Sequence, residues 1–196
     1  MKTSLLFLAT LALSACGVLK PLEDRSLSHV LDATAPQRAI TGNSPAIAVA
    51  RPSLPGYIDR QQLVTRDPKG NLVLNVNQTW AEPLDDGIAR VTAENLARIR
   101  NSMNIQPVRA FIAMDYTHLL EIRFTRFDAD ATTRTITLEC TWKLQPVSGR
   151  VATSRSFRTE VAINDAQFSA NSPQQSRVAA MNQALAELAG EISKQL

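Results

Sequence analysis

Residues 134–144 read Arg-Thr-Ile-Thr-Leu-Glu-Cys-Thr-Trp-Lys-Leu, an alternation that places Ile136, Leu138, Cys140, Trp142 and Leu144 on one side and Thr135, Thr137, Glu139, Thr141 and Lys143 on the other. A period of two over so many residues is the mark of a strand with one packed face and one wet face. Working outward, Leu119 to Phe127 carries Leu120, Ile122 and Phe124 on one side, and Ser148-Gly149 turns the chain into Val151 to Ile163, where Phe157, Val161 and Ile163 share a face. These runs predict an antiparallel meander. Upstream, Gln62 to Arg66 and Leu72 to Leu74 flank Asp67-Pro68-Lys69-Gly70-Asn71, which predicts a hairpin. Shorter apolar runs at His29 to Leu31, Ala46 to Ala50 and Val108 to Met114 predict further strands.

Two helices frame the second half. Pro83 precedes a stripe of Leu84, Ile88, Val91, Leu96 and Ile99, with Asp85 and Asp86 placed at the positive end of a helix running to about Asn101. The last begins with Ser172 as N-cap, Pro173 in the first turn and Gln175 at the capping-box position. Its apolar stripe is Val178, Met181, Leu185, Leu188 and Ile192, opposite Asn182, Gln183, Glu187, Glu191 and Lys194. The expected fold is α+β, a mostly antiparallel sheet with two helices packed on one face. It forms a single domain over residues 28–196.

The chain opens differently. Met1, Lys2 and Thr3 precede an apolar run from Leu5 to Leu13, closed by Leu13-Ser14-Ala15-Cys16. That is the layout of a secretory signal, too short to span a bilayer permanently. Leu-Ser-Ala-Cys resembles the bacterial lipobox at every site, implying removal of residues 1–15 and a diacylglyceryl thioether on Cys16. An acylated, palmitate-bearing terminus would anchor the chain stably, since each buried methylene contributes about 0.8 kcal/mol. Residues 16–27 then form the lipidated cysteine and its tether. Gly17 stands where an aspartate would favour inner-membrane retention, so the resemblance points to the periplasmic face of the outer membrane.

Removing the signal leaves 181 residues, enough for one proper core. The formal charge of +3 includes Lys2, and the basic residues are scattered singly, so no nucleic-acid partner is expected. With Cys16 lipidated, Cys140 stands alone on the apolar side of its strand and reads as core. His29 and His118 have no metal-ligand spacing, and neither a phosphate loop nor a nucleophile elbow is present. No catalytic residue, metal or cofactor is therefore called, and the protein is expected not to be an enzyme.

Two segments stand out. Leu54 to Arg60 puts an aromatic and two aliphatics beside an ion pair, and Trp80-Ala81-Glu82-Pro83-Leu84 does the same ahead of a helix. Recognition loops and plain packing, including a hydrophobic staple, fit them equally well. The stretch from Pro55 to Arg66, Trp80 to Leu84 with Arg90 and Leu96, and His29 to Asp32 resemble the ABC-type transport auxiliary lipoproteins of the PqiC-like kind. The aromatics that usually begin the first strand are missing here.

That resemblance implies an outer-membrane lipoprotein of an intermembrane phospholipid-transport system. Its expected partners are the membrane, through the lipid anchor, an MCE-domain periplasmic bridge protein that it docks, and phospholipid. A homo-oligomeric ring would suit a tubular bridge. The implied contact residues are Tyr57, Ile58, Asp59, Arg60, Leu63, Arg66 and Trp80. Two other readings stand beside it: a self-contained lipid carrier, which needs an enclosed apolar cavity, and an envelope hydrolase built around a perturbed Ser or His.

Overall fold

The computed structural model describes residues 26–37, 45–108, 115–149, 151–165 and 173–196. Its elements are β1 (Leu27–His29), β2 (Ile47–Val49), β3 (Gln62–Arg66), β4 (Leu72–Trp80), α1 (Leu84–Arg100), β5 (Ile105–Pro107), β6 (His118–Asp130), β7 (Thr135–Pro146), β8 (Thr153–Ala162) and α2 (Pro173–Ser193). The alternating stretch that predicted a strand is β7, and Ile136, Leu138, Cys140, Trp142 and Leu144 are all buried.

The α+β class holds, but the sheet is mixed rather than mostly antiparallel. Among the described residues, four of its seven strand pairings are parallel: β1 with β4, β2 with β5, β2 with β6, and β3 with β6. The hairpin β3–β4 and the meander β6–β7–β8 are antiparallel, as their short turns require. The parallel strands belong to segments whose partners are far away in sequence, and no local alternation reports which way a distant neighbour runs.

Strand β6 organises the sheet. One edge pairs with β7 along its whole length. The other edge is shared, its first part by β2 through Ile47↔His118 to Val49↔Leu120, and its last part by β3 through Thr65↔Ala129 and Arg66↔Asp130. Between them the chain touches β6 at Ser53, whose backbone bonds flank Arg123, and then loops away. At the same level the β6–β7 register shifts, leaving Thr125 unpaired. This bulge reverses the alternation, so the buried face passes from Leu120, Ile122 and Phe124 to Phe127 and Ala129.

Helix α1 packs against β2 and β5, helix α2 against β7 and β8, and the helices pack on each other, all within one apolar cluster. Helix α1 ends at Asn101, whose left-handed backbone (φ 44°) lets Ser102 N–H reach the Ala97 carbonyl at 2.9 Å. Two sequence expectations need correction. The first strand is Leu27–His29 rather than His29 to Leu31, because Leu31 turns inward to the core. Asn182, read on the polar face of α2, is buried. The strand expected from Val108 falls on residues 109–114, outside the described residues, and the pairing strand lies earlier, at Ile105–Pro107. The Ser172 cap also lies outside them.

Candidate cleft beside the hairpin

After Ser53 the chain leaves the sheet, and Pro55 accepts backbone bonds from Ile58 and Asp59 at 3.0 and 3.2 Å, which closes a compact turn. The chain returns as β3, and the N–H of Trp80 donates to the Gln61 carbonyl at 2.7 Å. This bond joins the two segments that stood out in the sequence. Between them lies a cleft of about 330 Å³, with Asp59, Arg60 and Gln61 on one wall and Trp80 to Leu84 on the other.

Below Trp80 the cleft is braced by charge. Glu82 Oε1 accepts from Arg90 Nη2 at 2.5 Å, and the same Nη2 also donates to the Leu31 carbonyl at 2.8 Å. The Glu82 side chain lies across the first turn of α1 so closely that a Cβ on Gly87 would stand 3.2 Å from its Oε1. Opposite, Arg51 grips both oxygens of Asp86 at 2.8 and 2.7 Å and meets Asp85 at 3.3 Å. The Asp86 hydrogen bond, followed by the charge of Asp85, raises the pKa of Arg51. Asp85 and Asp86 thus serve both the helix N-terminus and Arg51.

The seven sequence-derived contact residues divide into three groups. Asp59 and Arg60 are exposed, Arg60 reaching the Gly56 carbonyl at 3.2 Å, and they meet the largely buried Trp80 in the cleft. Ile58 and Leu63 are core residues, lining with Phe127 and Met181 an interior space of about 20 Å³. Tyr57 and Arg66 converge elsewhere, on Asp128 of β6. The Tyr57 hydroxyl donates to Asp128 Oδ2 at 2.7 Å, Arg66 Nη2 to the same oxygen at 3.1 Å, and Arg126 Nε to Oδ1 at 3.1 Å. The Arg66 guanidinium also sits 5.9 Å from the centre of the Tyr57 ring.

Sequence reading missed Asp128 and Arg126. Their signal was the run Arg126-Phe127-Asp128-Ala129-Asp130, in which charged residues fall in phase with the buried side of the strand's first half. That conflict marks the bulge. Asp128 is only 1% exposed, and its carboxylate is held by two guanidiniums and a phenol. Burial, then the hydrogen bond to Asp128, pushes Tyr57 up to about 12. Its hydroxyl therefore remains a donor throughout the physiological range.

Neither histidine lines this cleft: His29 pairs with Trp80 but its Nε2 meets Gln78 Oε1 at 2.6 Å, and His118 Nδ1 meets Thr117 Oγ1 at 2.9 Å. Cys140 is buried, which pushes its thiol up to about 12. Among the described residues no cluster of His, Cys, Asp and Glu is arranged to hold a metal ion, and no helix is long and apolar enough to cross a membrane. Cys16 lies outside the described residues.

The family model of the ABC-type transport auxiliary lipoprotein component matches residues 28–193. Among solved structures, the chain is similar to an uncharacterized protein at 17% identity and TM-score 0.65, covering 86% of this chain and 96% of that one. Protein XCC0632 from Xanthomonas campestris is similar at 21% identity and TM-score 0.60, covering 85% of this chain and 92% of its own. At these identities the two structures speak for the fold alone. No curated protein matches the chain.

Proposed function

We propose, on the premise that the chain belongs to the ABC-type transport auxiliary lipoprotein family, that it is the outer-membrane docking subunit of an intermembrane phospholipid-transport system. Cys16 carries the lipid, residues 17–26 tether the domain to the periplasmic face of that membrane, and the domain receives an MCE-domain bridge protein. The work is binding, not catalysis. The observation that supports this reading is the cleft between Asp59 to Gln61 and Trp80 to Leu84. It offers an apolar floor and a rim of mixed charge, braced by Arg90 and Arg51, which suits a protein segment rather than a reacting small molecule.

A self-contained carrier would have to hold acyl chains in an enclosed apolar cavity of several hundred Å³. The interior space under Trp80 is about 20 Å³, far too small for one. The wider clefts among the described residues are open grooves, which suit docking better than sequestration.

Purification from detergent-solubilised envelopes through a tag after Leu196 tests the proposal. Wild type should bring down a bridge protein with MCE domains, and Cys16→Ala should lose it while the protein leaves the membrane fraction. Wild type recovered alone but loaded with phospholipid would favour the carrier. Recovered alone and empty, with normal envelope integrity in a deletion strain, it would overturn the docking role.

A further inference from the structure

A run of exposed apolar residues lies on the hairpin, away from the cleft. Leu72, Val73, Leu74 and Val76 of β4 are all exposed, Val76 to 73%, and Leu27 of β1 lies open beside them. Leu72 and Leu74 alternate with Val73, so both faces of the strand are apolar. Strand β1 covers β4 only from Gln78 to Trp80, which leaves Leu72 to Asn75 with β3 on one side alone and Val76 and Asn77 outside both ladders among the described residues. An open apolar edge of this kind is a liability unless something covers it.

The direction of β1 says what that is. It runs parallel to β4, with Leu27 opposite Gln78, so the chain before Leu27 approaches from the side of the hairpin turn. Leu27 lies eleven residues after Cys16, a reach of at most about 40 Å. The strand from Leu72 to Gln78 spans only about 20 Å. The lipid can therefore sit beyond the turn, in line with the hairpin.

We infer that the hairpin end, Leu72 to Val76 together with Leu27, lies against the leaflet that holds the lipid of Cys16 and fixes how the domain stands on the membrane. The inference rests on the lipidation proposed above. A bilayer boundary accepts both faces of an apolar strand, and Lys69 at the turn is exposed towards acidic headgroups. The neighbouring Asp67 is turned inward on its own loop, accepting from Lys69 N, Asn71 N and Asn71 Nδ2 at 2.9, 2.7 and 3.0 Å. A second copy pairing along the edge fits less well. The β3–β4 register jumps between Gln62 and Leu63, which breaks the straight run of backbone such pairing needs, and one added strand would leave apolar side chains uncovered on both faces.

The full lipoprotein, carrying Val76→Cys or Val151→Cys, is labelled with bimane and reconstituted in phosphatidylethanolamine/phosphatidylglycerol vesicles with and without nitroxide-bearing lipid. Val151 is exposed and follows the β7–β8 turn at the opposite end of the sheet, and buried Cys140 stays unlabelled. The lipid nitroxide should quench the label at 76 about twofold or more and leave that at 151 unchanged. Adding Leu72→Asp and Leu74→Asp should abolish the quench while the protein still floats with the vesicles. Flotation without quenching at 76, or with stronger quenching at 151, overturns the orientation and leaves the anchor standing. Fluorescence transfer between labels at 76 without lipid quenching assigns the edge to a second copy and also overturns it. Failure to float overturns the anchor and the inference together.

Discussion

Asp128 is a buried carboxylate with three donors, and its position follows from one unpaired residue, Thr125, three residues earlier. Removing one partner of a buried ion pair costs about 3–5 kcal/mol because the other charge is stranded. Arg66 and Arg126 are each about a quarter exposed and can turn towards water, so Asp128→Ala is expected to cost roughly 2–3 kcal/mol, read from the urea midpoint. Tyr57→Phe is the subtler test. The hydroxyl ionises near 10 in the unfolded chain and only near 12 when folded. Its contribution is therefore complete below pH 10 and is lost as pH rises through 12. Cys140 acts in the same sense from 9 to 12. Urea titrations between pH 9 and 12 should show stability falling with pH, and Tyr57→Phe should flatten the part between 10 and 12. An unchanged slope would mean that the Tyr57 hydroxyl is neither buried nor bonded to Asp128 in solution. Spacing carried only the conflict of phase from Arg126 to Asp130, and which side chains meet at Asp128 stays hidden until the partner strand is known.

At the level of elements, what could be read was what is local. The hairpin, the meander and both helices have their own periods and turns, and their apolar stripes are the buried ones: Leu84, Ile88, Val91 and Leu96 in α1, and Val178, Met181, Leu185, Leu188 and Ile192 in α2. The parallel additions β1, β2 and β5 have three residues each, too few to carry a period, so the sheet's mixed character stayed hidden. Asn95 and Asn182 escaped for a related reason. Each interrupts a helix face to satisfy backbone that arrives from the N-terminal segment. Asn95 Oδ1 accepts from Ala35 N at 2.8 Å and Asn182 Oδ1 from Asp32 N at 3.0 Å, while Arg98 donates to the Ala33 carbonyl at 2.6 Å. Residues 31 to 35, just beyond β1, are thus pinned across both helices. Asn182→Ala would leave the Asp32 amide unpaired, and its hydrogen-exchange protection should fall about tenfold, or about 1.4 kcal/mol. If protection is unchanged, the segment is held without Asn182, by the bonds of Asn95 and Arg98 and the burial of Leu31, Ala33 and Ala35.

Across the whole molecule, one core unites the sheet and both helices, while the surfaces proposed for docking and for the membrane lie at the base and the tip of the same hairpin. A substitution there can act by weakening the fold or by removing a contact, and the two residues that face each other across the cleft separate these effects. Trp80 is 6% exposed and packs with Ile58, Leu63 and Leu84. Trp80→Ala should cost about 3–5 kcal/mol, and any loss of function would follow loss of folded protein. Arg60 is exposed, and its one side-chain hydrogen bond among those described is to its own loop at Gly56. Arg60→Glu should change stability by no more than about 0.5 kcal/mol. It reverses a rim charge, so the rate of association with the bridge should fall several-fold, and the fall should shrink as salt is raised. Thermal melts beside surface-bound kinetics at two salt concentrations read both quantities. An Arg60→Glu protein with wild-type melting and wild-type association at low salt would move the docking surface away from this cleft, whatever Trp80→Ala did.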